Sequence, residues 1–161
     1  MEEIMKMSAP VPPNFDAQNA DNLEDLTSVS ILAVQHLETY WSILEKVKGS
    51  SLRLTKMDDE IYEHLKTDFP DFDPAKPIDE NEMKSKEGKE RWRKFMMAYE
   101  KKVDDYNFGT MLRTDPKSEY ERDTTIFVPR MQFYAIEIAR NRAGLNDWIY
   151  EKAQAEKEAK K

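Results

Sequence analysis

The chain has 161 residues, 32 acidic and 25 basic side chains, a net charge of −7, two histidines and no cysteine. One domain with tails fits that length, and such a domain buries about two thirds of its unfolded surface without metals or cross-links. The composition excludes a disulfide framework, a thiol nucleophile, cysteine-held zinc and an all-histidine metal site, while the acidic balance argues against bulk nucleic-acid or anionic-membrane binding, which wants a basic face.

Residues 1–20 hold Pro10, Pro12 and Pro13 within four positions. Such a run continues neither a helix nor a strand ladder, so a disordered leader is predicted. Asp21 with Glu24 three places on is a helix-start signal. Val29, Leu32, Val34, Leu37, Trp41, Leu44 and Val47 then follow near a 3.6 period, with Gly49 as the stop. Thr55 with Asp58 starts a second helix that buries Ile61, Tyr62 and Leu65 and ends before Phe69-Pro70. A proline-rich loop over 71–78 leads to a new start at Asp79. A third helix over 85–104 carries Trp92, Phe95, Met96, Tyr99 and Val103 on one side, with eight basic residues from Lys84 to Lys102 around it.

Residues 110–114 (TMLRT) and 124–128 (TTIFV) read as a short hairpin across the turn chemistry of Asp115-Pro116-Lys117-Ser118. A hairpin alone is marginal in water, so it must pack on the helices. Pro129 suits position N1 of a helix rich in apolar residues, the central one, which Gly144 stops or kinks. Asn146-Asp147 can cap a last helix with Trp148, Ile149 and Tyr150, ending in a Glu/Lys/Ala run. The fold class expected is mainly α: a helical domain over 21–145 with one hairpin before the central helix, and a charged helical tail over 146–161. That tail either folds its Trp148 and Ile149 back onto the core or docks as a hook on a partner.

Chemistry is sparse. Four glycines leave no nucleotide-binding loop, and the nucleophile-elbow and zinc-protease motifs are absent. Asp58-Asp59 and Asp104-Asp105 read as caps and solvated charges, since catalytic carboxylates need environments that split their pKa values. His64, four residues from both Glu60 and Asp68, reads as an exposed histidine with acidic neighbours. Arg113, Arg130, Arg140 and Arg142 suit carboxylate or phosphate recognition, or else pair internally with Glu137, Asp105 or Asp123. No catalytic residue, metal or cofactor is assigned. Residues 1–15 lack the apolar core of a secretory signal, and no apolar run reaches the ~18–20 residues that span a bilayer. A cytoplasmic monomer is expected, with no membrane and no direct DNA contact.

Three blocks carry a resemblance: 54–62 (LTKMDDEIY), 105–113 (DYNFGTMLR) and 125–142 (TIFVPRMQFYAIEIARNR), with a weaker fourth at 89–93 (KERWR). They resemble the polysaccharide biosynthesis domain-containing protein family over about 22–146. The resemblance implies a client-specific chaperone without ATPase activity. Its client would be the nascent GTP-binding domain of translation elongation factor 1-alpha, met at the ribosome beside the nascent polypeptide-associated complex. It does not say which residues touch the client. Turns and strand ends on a rigid frame are where binding residues gather, which picks out Asn107, Phe108, Gly109, Arg113, Pro129 and Arg130 as partner-binding candidates. The same six equally suit simply building the hairpin. Two other function classes stay open: an enzyme of polysaccharide or nucleotide-sugar metabolism, and a ribosome-associated adaptor without chaperone activity.

Overall fold

The computed structural model describes residues 23–160. The proline-rich leader and the Asp21 cap lie outside the described residues. In chain order the elements are α1 (Leu23–Lys46), α2 (Asp58–Asp68), α3 (Glu80–Met83), α4 (Lys86–Met97), β1 (Gly109–Arg113), β2 (Thr125–Pro129), α5 (Arg130–Arg142) and α6 (Asp147–Ala159). The class is mainly α, with β1 and β2 antiparallel in one hairpin.

Several helix ends follow from local chemistry. The Asp79 carboxylate accepts from the N–H groups of Asn81 and Glu82 at 3.0 and 3.3 Å, and Ser85 Oγ accepts from Gly88 N at 3.1 Å. Both are side-chain caps for orphan amides. Thr55 and Asp58 do bond, but not as the cap and third residue of a capping box: the N-cap is Met57 and Asp58 is the first helical residue. Thr55 Oγ1 accepts from Met57 N, and the buried Asp58 carboxylate accepts from Thr55 Oγ1 and from the N–H groups of Leu54 and Thr55. At the end of α5, Gly144 sits at φ +73°. Its N–H reaches Asn141 O and the Leu145 N–H reaches Arg140 O, each at 3.0 Å, which is the Schellman pattern.

Four expectations need correction. Gly49 does not terminate α1, which ends at Lys46; it is buried in a 3-10 turn against Asn141 and Asn146, where a Cβ would collide. The third helix stops at Met97 instead of reaching 104. Beyond it the chain tightens into turns with bonds such as Tyr99 N to Met96 O at 2.9 Å, while Tyr99 and Val103 remain buried. Pro129 is the N-cap of α5, and Arg130 takes the first helical position. Asn146 occupies the N-cap position of α6 without a capping bond, because its amide turns inward.

Helix α5 is the centre, buried at every position from Arg130 to Asn141. Phe133 on it takes the edges of His36 and Tyr40 from α1, at centroid distances of 5.1 and 5.0 Å. The inner face of α1 therefore runs through Ala33, His36, Tyr40, Ile43 and Leu44, not through Val34, which is 39% exposed. Large aliphatics suggested the wrong stripe, since the hairpin comes too close for them and takes an alanine and a histidine instead. Trp92 stacks on Phe69 at 4.3 Å and meets Phe95 edge-on, closing the core on the α4 side. Helix α6 packs along α1 through the buried Ile149 and Ala153. No helix among the described residues is long and apolar enough to cross a membrane.

Candidate functional site: the hairpin and the head of the central helix

Register places Gly109 opposite Pro129, Met111 opposite Phe127, and Arg113 opposite Thr125. The bond from Arg130 N to Phe108 O, at 2.6 Å, and that from Thr114 N to Thr124 O, at 2.7 Å, extend the ladder at its two ends. Their parity makes 109, 111, 113, 125, 127 and 129 the positions whose backbone groups point away from the partner strand. On the β1 side Arg113 O accepts from Arg140 at 2.8 Å. On the β2 side the Phe127 N–H and C=O make no hydrogen bond among the described residues. The six partner-binding candidates thus converge on one region, but not on one surface. Asn107 and Phe108 are half-buried in the turn before β1, whereas Gly109, Arg113, Pro129 and Arg130 are buried.

Arg130 is an interior group. Its Nη1 donates to Asp105 Oδ2 at 3.0 Å, and the Tyr134 hydroxyl donates to the same oxygen at 2.7 Å. The Phe108 ring lies 5.5 Å from the guanidinium. Burial, then the Asp105 charge, raises the Tyr134 phenol far above its usual range, so it stays a donor. Next to this group, His36 Nδ1 bonds Thr110 Oγ1 on β1. Burial, with the Arg130 charge second, lowers the His36 pKa to about 2. The imidazole is neutral in the folded protein at ordinary pH.

At the other end of the hairpin, Arg113 and Arg140 share the buried Glu137 carboxylate at 3.3 and 2.9 Å. Arg113 also donates to Pro116 O and Ser118 O, each at 3.0 Å, and to Asn146 Oδ1. Asn146 donates to Glu137 and to Asn141 Oδ1, and Asn141 donates to the Tyr40 hydroxyl at 3.2 Å. Burial pushes the Glu137 carboxyl up, but the two guanidiniums outweigh it and hold it below its usual range. These arginines pair internally with Glu137 and Asp105, one of the two roles their sequence allowed. Arg142 pairs with Asp59 at the surface. Sequence reading missed Glu137 as a hub and Asn141 and Asn146 as its spokes. The hint was a carboxylate and an asparagine on a helix whose other charged residues are all arginines.

His64 is corrected as well. It stacks on Phe95 at 4.3 Å, with Nδ1 2.8 Å from the Tyr99 hydroxyl and Nε2 2.8 Å from Asp68. Burial, then the Glu60 and Asp68 charges, pushes the Tyr99 phenol up to about 12. That is the opposite of what an activated nucleophile needs. No cluster of three metal-ligating side chains occurs among the described residues.

A profile of the PBDC1 protein family matches residues 27–151. The chain belongs to the PBDC1 family. This is the polysaccharide biosynthesis domain-containing family that the sequence blocks resembled. A PBDC1 homolog of Saccharomyces cerevisiae is 57% identical over 139 residues, covering 84% of this chain and 95% of that protein. One from Schizosaccharomyces pombe is 59% identical over the same coverage. Human PBDC1 is 43% identical over 129 residues, and the match spans 80% of this chain but 54% of the human protein. A solution NMR structure of a Saccharomyces cerevisiae protein, 57% identical, superposes with a TM-score of 0.75 over 85% of this chain and 97% of that one.

Proposed function

We propose that this PBDC1 family member is an ATP-independent, client-specific co-translational chaperone. It holds the nascent GTP-binding domain of translation elongation factor 1-alpha at the ribosome, in the cytoplasm, beside the nascent polypeptide-associated complex. The observation that carries the reading is the outer edge of β2, where the Phe127 backbone makes no hydrogen bond among the described residues. An incomplete α/β domain exposes strand edges and apolar faces. A free edge on a rigid frame can add to such a strand through main-chain bonds. The buried pairs of Arg113 with Glu137 and of Arg130 with Asp105 hold that edge in place. Asn107 and Phe108, half-buried in the adjacent turn, extend the contact surface. Release follows when the client closes its own sheet and buries the bound strand, which is ordinary linkage.

The test is translation of the client's GTP-binding domain in an extract depleted of this protein. Adding the full chain is expected to raise the soluble, protease-resistant client. Phe127→Lys, an edge charge that opposes strand addition, is expected to remove the gain without moving Tm. Unchanged client yield with the full chain would overturn the reading. A thermal shift with nucleotide sugars instead would favour a sugar-metabolising enzyme.

A further inference from the structure

We infer that the groove between the 69–79 loop and the α3–α4 corner is a docking site for a partner segment carrying lysine or arginine beside a bulky apolar side chain. This inference does not rest on the chaperone reading, since the groove is separate from the β2 edge.

The groove encloses about 300 Å³, enough for one or two large side chains. Its floor is apolar, made by Phe69, Phe72, Ile78, Met83 and Trp92. Phe69, Phe72 and Ile78 are half-buried members of the core margin, so the floor still faces outward. Its rim is acidic, with Asp71, Asp73, Asp79 and Glu82 against Lys76 and Arg91. The Arg91 guanidinium is already engaged, donating to Asp68 O at 3.0 Å and lying 4.5 Å from the Phe69 ring. Asp79 and Asp73 cap local N–H groups, whereas Asp71 and Glu82 have no cation partner among the described residues.

The groove is held open by its own frame. Pro70, Pro74 and Pro77 stiffen the loop, and Ile78 N bonds Thr114 O at 2.7 Å, tying the loop to the hairpin. Across the groove, α3 and α4 meet so closely at Gly88 that a Cβ there would strike the Met83 carbonyl at 2.5 Å. A preformed apolar floor costs little reorganisation on binding, and the rim sets the sign of the occupant. The chain's own residues 1–22 match poorly, with Glu2, Glu3, Asp16 and Asp21 against Lys6. A basic, apolar segment from another protein fits both floor and rim.

The probe is an amidated peptide Lys-Phe-Leu-Lys-Arg titrated into isotope-labelled full chain, with a Glu-Phe-Leu-Glu-Glu peptide as the control. Shifts are expected at Phe72, Ile78, Glu82 and the Trp92 indole with the basic peptide alone. The double variant Asp71→Asn, Glu82→Gln is expected to bind about tenfold more weakly with an unchanged Tm. Equal binding of the two peptides, or an unchanged Kd in the double variant, would overturn the inference. So would shifts confined to the cleft of Trp41, Tyr120 and Glu121. A tenfold gain in affinity on deleting residues 1–20 would make the leader the occupant and equally overturn it.

Discussion

Arg113 on β1 and Glu137 on α5 meet 3.3 Å apart with neither side chain exposed. Arg140 takes the other carboxylate oxygen, so two buried bases share one acid. Glu137→Gln leaves both guanidiniums facing an amide. Breaking a buried pair from one side costs ~3–5 kcal/mol, and urea unfolding is expected to show a loss of that order. A loss under about 1 kcal/mol would mean that water or a shifted backbone replaces the carboxylate.

His36 gives the protein a pH dependence of defined sign. Its folded pKa, about 2, lies below the ordinary value of 6.5. The unfolded chain therefore binds a proton that the folded chain refuses. Stability is full above pH 6.5 and falls as the pH drops below it, by up to ~1.4 kcal/mol per pH unit from this group. Comparing the full chain with His36→Gln between pH 7 and 5 isolates the effect, because carboxylate titration is common to both. The variant's curve is expected to be flatter; parallel curves would show that His36 is reached by solvent.

Trp92 is 4% exposed, stacked on Phe69 and edge-on to Phe95. Trp92→Ala is expected to cost ~3–5 kcal/mol in chemical denaturation. A change below about 1 kcal/mol would mean the α4 side collapses around the gap.

Two glycines are needed for different reasons, and alanine separates them. At Gly144 a Cβ has room, its nearest atom being Asp147 Oδ2 at 3.9 Å, and the cost is the positive φ alone. Gly144→Ala is expected to lose about 1 kcal/mol. At Gly49 the backbone is ordinary but a Cβ would meet the Asn141 amide and stand 3.0 Å from Asn146 Cβ. Gly49→Ala is expected to cost more than Gly144→Ala in the same melting experiment, because it displaces the spokes of the Glu137 cluster. The reverse order would show that those asparagines move freely.

Deleting residues 146–161 tests what the last helix does. Trp148 Nε1 donates to Pro116 O at 2.9 Å, Asp147 accepts from Ser50 N and Oγ, and Ile149 is 2% exposed. These contacts favour anchoring over a free hook. The deletion is expected to lower Tm, with the proposed ribosome association, read by co-sedimentation, retained by the molecules that stay folded. Unchanged Tm with lost association would make the helix a docking element.

Element existence was legible because it follows from local chemistry. Asp79 marks a start, Gly144 marks a stop, the second helix begins at Asp58 within three residues of Thr55, and the hairpin strands fall within one residue of their expected places. The family blocks over 105–113 and 125–142 also proved to be one spatial unit, the hairpin and the central helix. The candidate site was legible only as a region. Asn107, Phe108, Gly109, Arg113, Pro129 and Arg130 do converge, yet residue type alone cannot say which of them faces water.

That division has a physical cause. Caps, prolines, a left-handed glycine and helical periodicity act within a few residues, so the chain by itself determined a mainly helical protein with one hairpin before its central helix. Burial of charge is decided by partners far away in sequence. Glu137 becomes a structural anion because Arg113 lies 24 residues earlier, and His36 stays neutral because packing buries it beside the Arg130 charge on a distant helix. Only when tertiary packing removes water do such groups lose the choice of staying solvated. It was therefore the three-dimensional structure that turned recognition-type arginines into interior braces, left the Phe127 backbone without a hydrogen bond among the described residues, and drew acidic side chains around an aromatic floor.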